Sequence, residues 1–222
     1  MFFKDWLDIL FYKKKPAELA GTSLGEGLKN VAIAGLILGL LSGIFQYLSP
    51  SKVANVLSIP GPAAIIVSII SGVIMAVIGA LIGGAILHVF CKIVGGKGSI
   101  GNYIGALAKI YAAIAGTALA VILLIEIIAV LALGTNAIAL LAVLGILGLI
   151  GLIVSLWELV LVVLATNAVQ QLSTGRTIVA VIIIPIIIGV ILLFVIGMAI
   201  LSLFMGSGAL GGLNGTGGFL LG

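Results

Sequence analysis

Four ionisable side chains lie inside or beside long apolar runs of this 222-residue chain: His88, Lys109, Glu126 and Glu158. A charged group near the centre of a lipid bilayer costs roughly 2.5–3.5 kcal/mol. Each of these groups therefore needs a partner, a route to the lipid head groups, or a function. Acidic groups inside a membrane are also the usual ion and proton sites of transport proteins.

The position of each group along its hairpin gives its depth. Counted from the turn around Thr135, Glu126 and Glu158 differ by roughly 20 Å, which argues against a paired carboxylate site. His88, Lys109 and Glu158 fall in one layer toward the cytoplasmic side, and Glu126 stands alone near the outer interface. Two interpretations of that layer stay open: Lys109 pairs with Glu158 beside His88, or Lys109 and His88 extend separately to the inner head groups. For Glu126, an extended or protonated carboxyl is favoured over an ion site.

Other chemical motifs argue against an enzyme. The loop GGKGS at residues 95–99 has neither the GxxxxGK[ST] spacing nor the preceding strand of a phosphate-binding loop, so a turn is the better interpretation. One histidine cannot build a multi-histidine metal site, and the single Cys91 excludes an intramolecular disulfide. We predict a non-enzymatic protein with no catalytic, cofactor-binding or metal-binding residues.

The composition requires lipid as the solvent. The chain is 63% hydrophobic and 7% charged, with a mean hydropathy of +1.50, whereas a soluble domain carries about 25% charged residues. A membrane-spanning helix needs roughly 20 residues. Five apolar runs are long enough: residues 31–48, 63–91, 103–133, 137–168 and 177–205. We therefore predict an all-α, polytopic bundle of five transmembrane helices.

Three domains follow from this partition: a cytoplasmic anchor at residues 1–29, a membrane domain at 30–206, and a glycine-rich disordered tail at 207–222. Ser23 and Glu26 have the spacing of a capping box at the start of the first helix. Pro185 is expected to kink the fifth span, because it lacks a backbone donor. Small residues recur every four positions, as in Gly35 and Gly39, and predict close helix contacts within the bundle or between subunits.

The first fifteen residues predict an amphipathic helix lying on the membrane surface. Apolar side chains including Trp6 fall at helical spacing, opposite charged ones. Lys13, Lys14 and Lys15 then form a basic patch for anionic lipid head groups, worth roughly 1 kcal/mol per charge. We predict that Trp6 and the three lysines anchor the chain to lipid; the alternative is a protein-binding motif.

The basic residues also predict the orientation. Nine of the ten fall on one side of the predicted spans, and only Lys52 falls on the other. By the positive-inside rule the N-terminus is cytoplasmic and, with five spans, the C-terminus is outside. Because the basic residues cluster at segment ends, we expect them to meet lipid head groups and not nucleic acid.

Two segments carry a family resemblance. Residues 86–112 read ILHVFCKIVGGKGSIGNYIGALAKIYA, and residues 157–185 read WELVLVVLATNAVQQLSTGRTIVAVIIIP. This pattern of spans and loops resembles the Yip family (Ypt/Rab-interacting proteins), specifically its short prokaryotic members. The resemblance implies five spans, a cytoplasmic N-terminus and, for a prokaryotic protein, the cell membrane. Eukaryotic relatives engage prenylated small GTPases, but only about thirty residues precede the first predicted span here, which argues against that role.

The sequence thus predicts a non-enzymatic, multi-pass membrane protein of the Yip type, acting in membrane organisation or as a partner-binding scaffold. The lipid bilayer is its first expected partner, and a membrane-protein partner or a second copy of the chain is the next. The alternative function is a small transporter or channel that uses Glu158 and Glu126.

Overall fold

The structure is a computed structural model that describes residues 2–48, 62–133 and 137–211. Within these ranges the secondary structure is entirely helical. The α-helices are α1 (Phe2–Leu10), α2 (Leu24–Leu48), α3 (Ala63–Ile93), α4 (Ile100–Ala113), α5 (Ala120–Leu133), α6 (Ala137–Gln170), α7 (Thr174–Ile178) and α8 (Ile184–Gly211). A 3₁₀ helix, Pro16–Gly21, lies between α1 and α2, and π-helical segments join α4 to α5 and α7 to α8.

Five helical runs of the described ranges are long and apolar enough to cross a membrane, which confirms the predicted all-α membrane fold. They are Leu24–Leu48, Ala63–Ile93, Ile100–Leu133, Ile138–Gln170 and Thr174–Ile200. The first run begins at Leu24 and not at Val31, because Ser23 caps the helix: its Oγ accepts a hydrogen bond from the Glu26 backbone N–H at 3.2 Å. At the other end of the chain α8 continues to Gly211, past the predicted start of the tail; residues 212–222 lie outside the described residues.

Small residues bring α2 and α3 into close contact within one chain. A Cβ atom on Gly35 would lie 2.6 Å from the Gly72 carbonyl oxygen and 2.8 Å from Ala76 Cβ. Gly39 is equally close to the backbone of Ser68. Lipid provides no hydrophobic drive between helices, so close backbone packing of this kind is what holds them together. The intramolecular interpretation of this glycine stripe is therefore confirmed.

Two π-helical segments interrupt the spans. Residues Ile114–Leu119 connect α4 to α5, and there the Thr117 hydroxyl donates to the Ala113 carbonyl. Residues Val179–Ile183 lie directly before Pro185, so the chain adjusts its helical hydrogen bonding where proline removes a donor. A kink at Pro185 stays a prediction; the structure shows a π-helical segment before it.

The chain divides into two compact units, Met1–Val181 and Ile182–Gly222. The second unit, as far as it is described, consists mainly of α8. The core of the first unit includes Tyr103 and Ile110 of α4, Leu161 of α6, and also Trp6 and Ile9 of α1. The N-terminal helix is therefore part of the folded core of this unit.

Candidate functional site

The Lys109 ammonium lies at the centre of an ion cluster formed by Asp5, Lys14, Glu26 and Lys109. Its Nζ is 3.0 Å from Asp5 Oδ2 and 2.5 Å from Glu26 Oε1. The other Asp5 oxygen, Oδ1, accepts from Lys14 Nζ at 2.9 Å. The Lys109 side chain is only 6% exposed, whereas those of Asp5 and Glu26 are 32% and 49% exposed. Two partly hydrated carboxylates thus compensate one buried cation.

The ion cluster corrects the predicted pairing of Lys109. The ammonium does not pair with Glu158; it binds carboxylates from α1 and from the first turn of α2. The depth estimate compared only the spans with one another. It omitted the N-terminal segment, which folds back against α4 and brings Asp5 to the level of Lys109.

Asp5 lies outside the spans, and its pKa shows the strength of this contact. Burial opposes its ionisation, but hydrogen bonds and positive charges from Lys14 and Lys109 outweigh that effect and hold the pKa of Asp5 below its ordinary value. The carboxylate is therefore ionised at neutral pH and ties α1 to α4.

Trp6 strengthens the same attachment. Its side chain is 1% exposed, and its indole Nε1 donates to Asn30 Oδ1 of α2 at 2.9 Å. The Asn30 amide donates in turn to the Glu26 carbonyl at 2.8 Å. The indole ring covers Gly116 so closely that a Cβ atom there would overlap it. The prediction that Trp6 anchors the chain to lipid is therefore wrong: the ring fills a space in the protein, and its N–H has a buried acceptor.

The three lysines that follow α1 have different surroundings. Lys14 is bound to Asp5, while Lys13 and Lys15 are exposed. For Lys13 and Lys15, contact with anionic head groups stays a prediction. The end of α1 is fixed separately, since Trp157 Nε1 of α6 donates to the Leu10 carbonyl at 2.8 Å.

A second group of polar side chains, here called the polar cluster, is buried between α3, α4 and α6: His88, Cys91, Tyr103, Thr166 and Gln170. Gln170 Nε2 lies 2.8 Å from His88 Nδ1. The Tyr103 hydroxyl lies 3.0 Å from Thr166 Oγ1 and accepts from the Cys91 thiol at 3.7 Å. His88 is 8% exposed, so it does not extend to the head groups as one interpretation held. The polar cluster joins three helices by hydrogen bonds that no lipid can replace.

The GGKGS loop closes over the polar cluster as a packed turn. Gly95 adopts a φ of +96°, which favours glycine. A Cβ atom on Gly96 would lie 2.9 Å from Gln170 Oε1, and one on Gly98 would overlap the Val169 carbonyl. The Lys97 backbone N–H donates to the Gln170 carbonyl at 2.9 Å. The glycines thus serve close backbone approach.

Glu158 of α6 faces a different environment. It lines a cavity of about 320 Å³ together with Gly79, Ala80 and Gly84 of α3 and Tyr111 of α4. In the described part of the chain none of the ion pairs includes Glu158. This acid therefore meets mostly apolar surface.

The three residues predicted to share a layer face different neighbours. Leu87 and Ala108, which precede His88 and Lys109 in the chain, line the same cavity as Glu158. His88 and Lys109 themselves turn away from it, toward the polar cluster and the ion cluster. Glu126 is half-buried on α5, away from these groups. Over the described ranges, no group of three or more His, Cys, Asp or Glu side chains is placed to hold a metal ion.

Comparison with known proteins now adds the family. The family model of the Yip1 domain matches residues 24–214, which include all five spans. The chain belongs to the Yip1 family. The resemblance carried by the GGKGS loop and the Trp157-led span is thereby confirmed, and this family is generally non-enzymatic. No curated protein and no solved structure matches the chain.

The Yip1 match begins at Leu24, so it divides the ion cluster. Asp5 and Trp6 precede the matched region, whereas their partners Lys109 and Asn30 lie within it. The Yip1 domain thus contains Lys109 and Asn30, and the N-terminal segment supplies Asp5 and Trp6, which bind them.

Sequence reasoning missed several residues that organise these groups: Asp5, Asn30, Tyr103, Thr166 and Gln170. Two of them had a visible signal, since an amide at the end of an apolar span needs a hydrogen-bonding partner. Asn30 directly precedes the predicted span 31–48, and Gln170 follows the predicted span 137–168. The position of Asp5 gave no such indication, because a charged residue on the polar face of an amphipathic helix is expected to be exposed to water.

Proposed function

We propose that this Yip1-family protein is a non-enzymatic scaffold of the membrane that organises lipid or a membrane-protein partner through its N-terminal side. The observation that carries the proposal is the use of its buried polar groups. Lys109 is occupied by Asp5 and Glu26, and His88 by Gln170. These groups hold helices together, which is a structural role and leaves the exposed surface for function.

The exposed surface of the N-terminal side is basic. The GGKGS loop contacts the end of α6, and the start of α2 lies against the start of α4 at Gly27 and Gly105; these chain ends therefore share one side. Lys13, Lys15 and Arg176 are exposed there. A basic surface next to spans favours the anionic inner leaflet. This supports our proposal that the N-terminus is cytoplasmic and the C-terminus outside.

Copurification in a gentle detergent tests the scaffold. We expect anionic lipid or one defined membrane protein to remain bound at constant stoichiometry to the wild type, and to be lost from the double variant Lys13→Glu, Lys15→Glu. The matched control is Lys92→Glu, a charge reversal at the exposed end of α3. Equal retention by all three proteins would refute a role for the N-terminal basic residues.

Transport is the second candidate, because Glu158 lines a cavity and intramembrane acids serve ion pathways. Uptake of protons or cations by reconstituted vesicles separates the two functions. The scaffold proposal expects no uptake above that of empty vesicles. Uptake that is lost in Glu158→Gln would favour transport instead.

A further inference from the structure

The cavity beside Glu158 combines one carboxylate with apolar walls. Its volume, about 320 Å³, is within the range of roughly 300–1,000 Å³ that small organic ligands occupy. Small residues of α3, including Gly79 and Ala80, form one wall, and Val162 of α6 contributes to another. A site with few polar groups and one acid selects a ligand that is mostly apolar and carries one complementary group.

The complementary group is a positive charge. The ion pairs of the described residues supply Glu158 with no cation, since Lys109 is directed to Asp5 and Glu26. Tyr111, which lines the same cavity as Glu158, offers an aromatic ring to a cation. A metal ion is disfavoured here, because it requires several oxygen ligands, and a lone carboxylate does not provide them.

The cavity also has an access route from the bilayer. Met75, at its edge, is 68% exposed, and Gly79 has open space in front of it. In a membrane protein these surfaces face the hydrocarbon of the lipid. A ligand that partitions into the membrane can reach Glu158 laterally.

From these observations we propose that the cavity between α3, α4 and α6 binds a lipophilic organic cation, such as a hydrophobic amine or a quaternary onium ion. Its charge pairs with the Glu158 carboxylate, and its apolar body lies against Tyr111 and the small residues of α3. The site is independent of the scaffold proposed above, which rests on the exposed basic residues of the N-terminal side.

The test uses the full chain in detergent and radiolabelled tetraphenylphosphonium in equilibrium dialysis. We expect saturable binding to the wild type and a loss of affinity of roughly 10-fold to 100-fold in Glu158→Gln, because a charge-assisted contact is removed without changing side-chain size. Glu126→Gln is the matched control, since it neutralises the other intramembrane acid. Unchanged binding in Glu126→Gln supports the site; an equal loss in both variants overturns it.

Two further controls address shape and charge. Gly79→Leu places a side chain into the cavity and is expected to abolish binding, whereas Gly83→Leu, on the same helix with open space but outside the cavity lining, is expected to retain it. Tetraphenylborate has the same shape as the probe with the opposite charge, and we expect it not to compete. Equal competition by both ions, or absence of saturable binding to the folded wild type, would overturn the proposal.

Discussion

Replacing Lys109 with methionine removes the ammonium that joins α1 to α2 and α4 while keeping most of the side-chain volume. Asp5 and Glu26 then lose their shared cation, with contacts of 3.0 and 2.5 Å. Asp5 keeps its partner Lys14. We expect α1 to detach more readily and the folded protein to lose stability.

The size of the effect follows from the burial of the three partners. Removing one member of a buried ion pair costs about 3–5 kcal/mol, whereas an exposed pair contributes only about 0–1 kcal/mol. Lys109 is 6% exposed, but Asp5 and Glu26 are 32% and 49% exposed, so water rehydrates both carboxylates once the ammonium is gone. The expected loss lies between these limits, at about 2 kcal/mol in the free energy of unfolding.

Reversible unfolding in mixed micelles measures this loss, and a double-mutant cycle assigns it. Lys109→Met combined with Asp5→Asn is expected to be non-additive by about 1 kcal/mol, as for residues in direct contact. The same cycle with Glu158→Gln is expected to be additive. Additivity with Asp5→Asn, or coupling to Glu158, would refute the structural assignment.

Three further predictions concern the N-terminal attachment and the helix seams. Trp6→Ala leaves a cavity and is expected to lower the free energy of unfolding by about 3 kcal/mol. Trypsin cleavage after the lysines that follow α1 should then be faster, and an unchanged cleavage rate would contradict the packing of α1 against the spans. Gly35→Ala is expected to lower the melting temperature, because its Cβ would lie 2.6 Å from a carbonyl oxygen. Gly79→Ala, at a position with open space, should be neutral or stabilising by up to about 1 kcal/mol. Equal effects of the two substitutions would contradict the close packing of α2 against α3 at Gly35. The pKa of Asp5 is lowered from its ordinary 3.8, so its stabilisation is fully present above that pH and is lost as the pH falls through the lower pKa of the folded protein. The melting temperature should fall as the pH is lowered from about 6 to 3, and Asp5→Asn should reduce this fall. An identical fall in the variant would mean that other groups cause it.

Much of the fold could be predicted, because in lipid a few strong rules decide it. Every backbone polar group needs an internal partner, so long apolar runs must be helices. The glycine stripes of α2 and α3 correctly predicted contact, since close approach is the main source of helix association there. Their intramolecular pairing, Gly35 against Gly72, needed the structure.

The candidate site was predicted less well. Depth counting placed His88, Lys109 and Glu158 at one level. Of these three residues only Glu158 lines the cavity, whereas Leu87 and Ala108, which precede His88 and Lys109 in the chain, line it in their place. Depth counting does not give the rotation of each helix about its own axis, and this rotation determines which side chains are in contact. Lys109 turned out to face α1, and His88 to face Gln170, because side chains one position apart on a helix point about 100° apart.

The sequence by itself determined that this protein is a five-span helical membrane protein, since hydropathy and span length are properties of continuous segments. Its family followed from the resemblance of residues 86–112 and 157–185 and from the Yip1 match. The sequence also identified which ionisable groups needed partners. Only the tertiary structure decided who those partners are. The apolar face of α1 can be buried equally well in lipid or against protein, and periodicity does not distinguish the two. In the folded protein α1 packs against Gly116, Asn30 and Lys109. These residues provide a space for the Trp6 indole, an acceptor for its N–H and a counter-charge for Asp5.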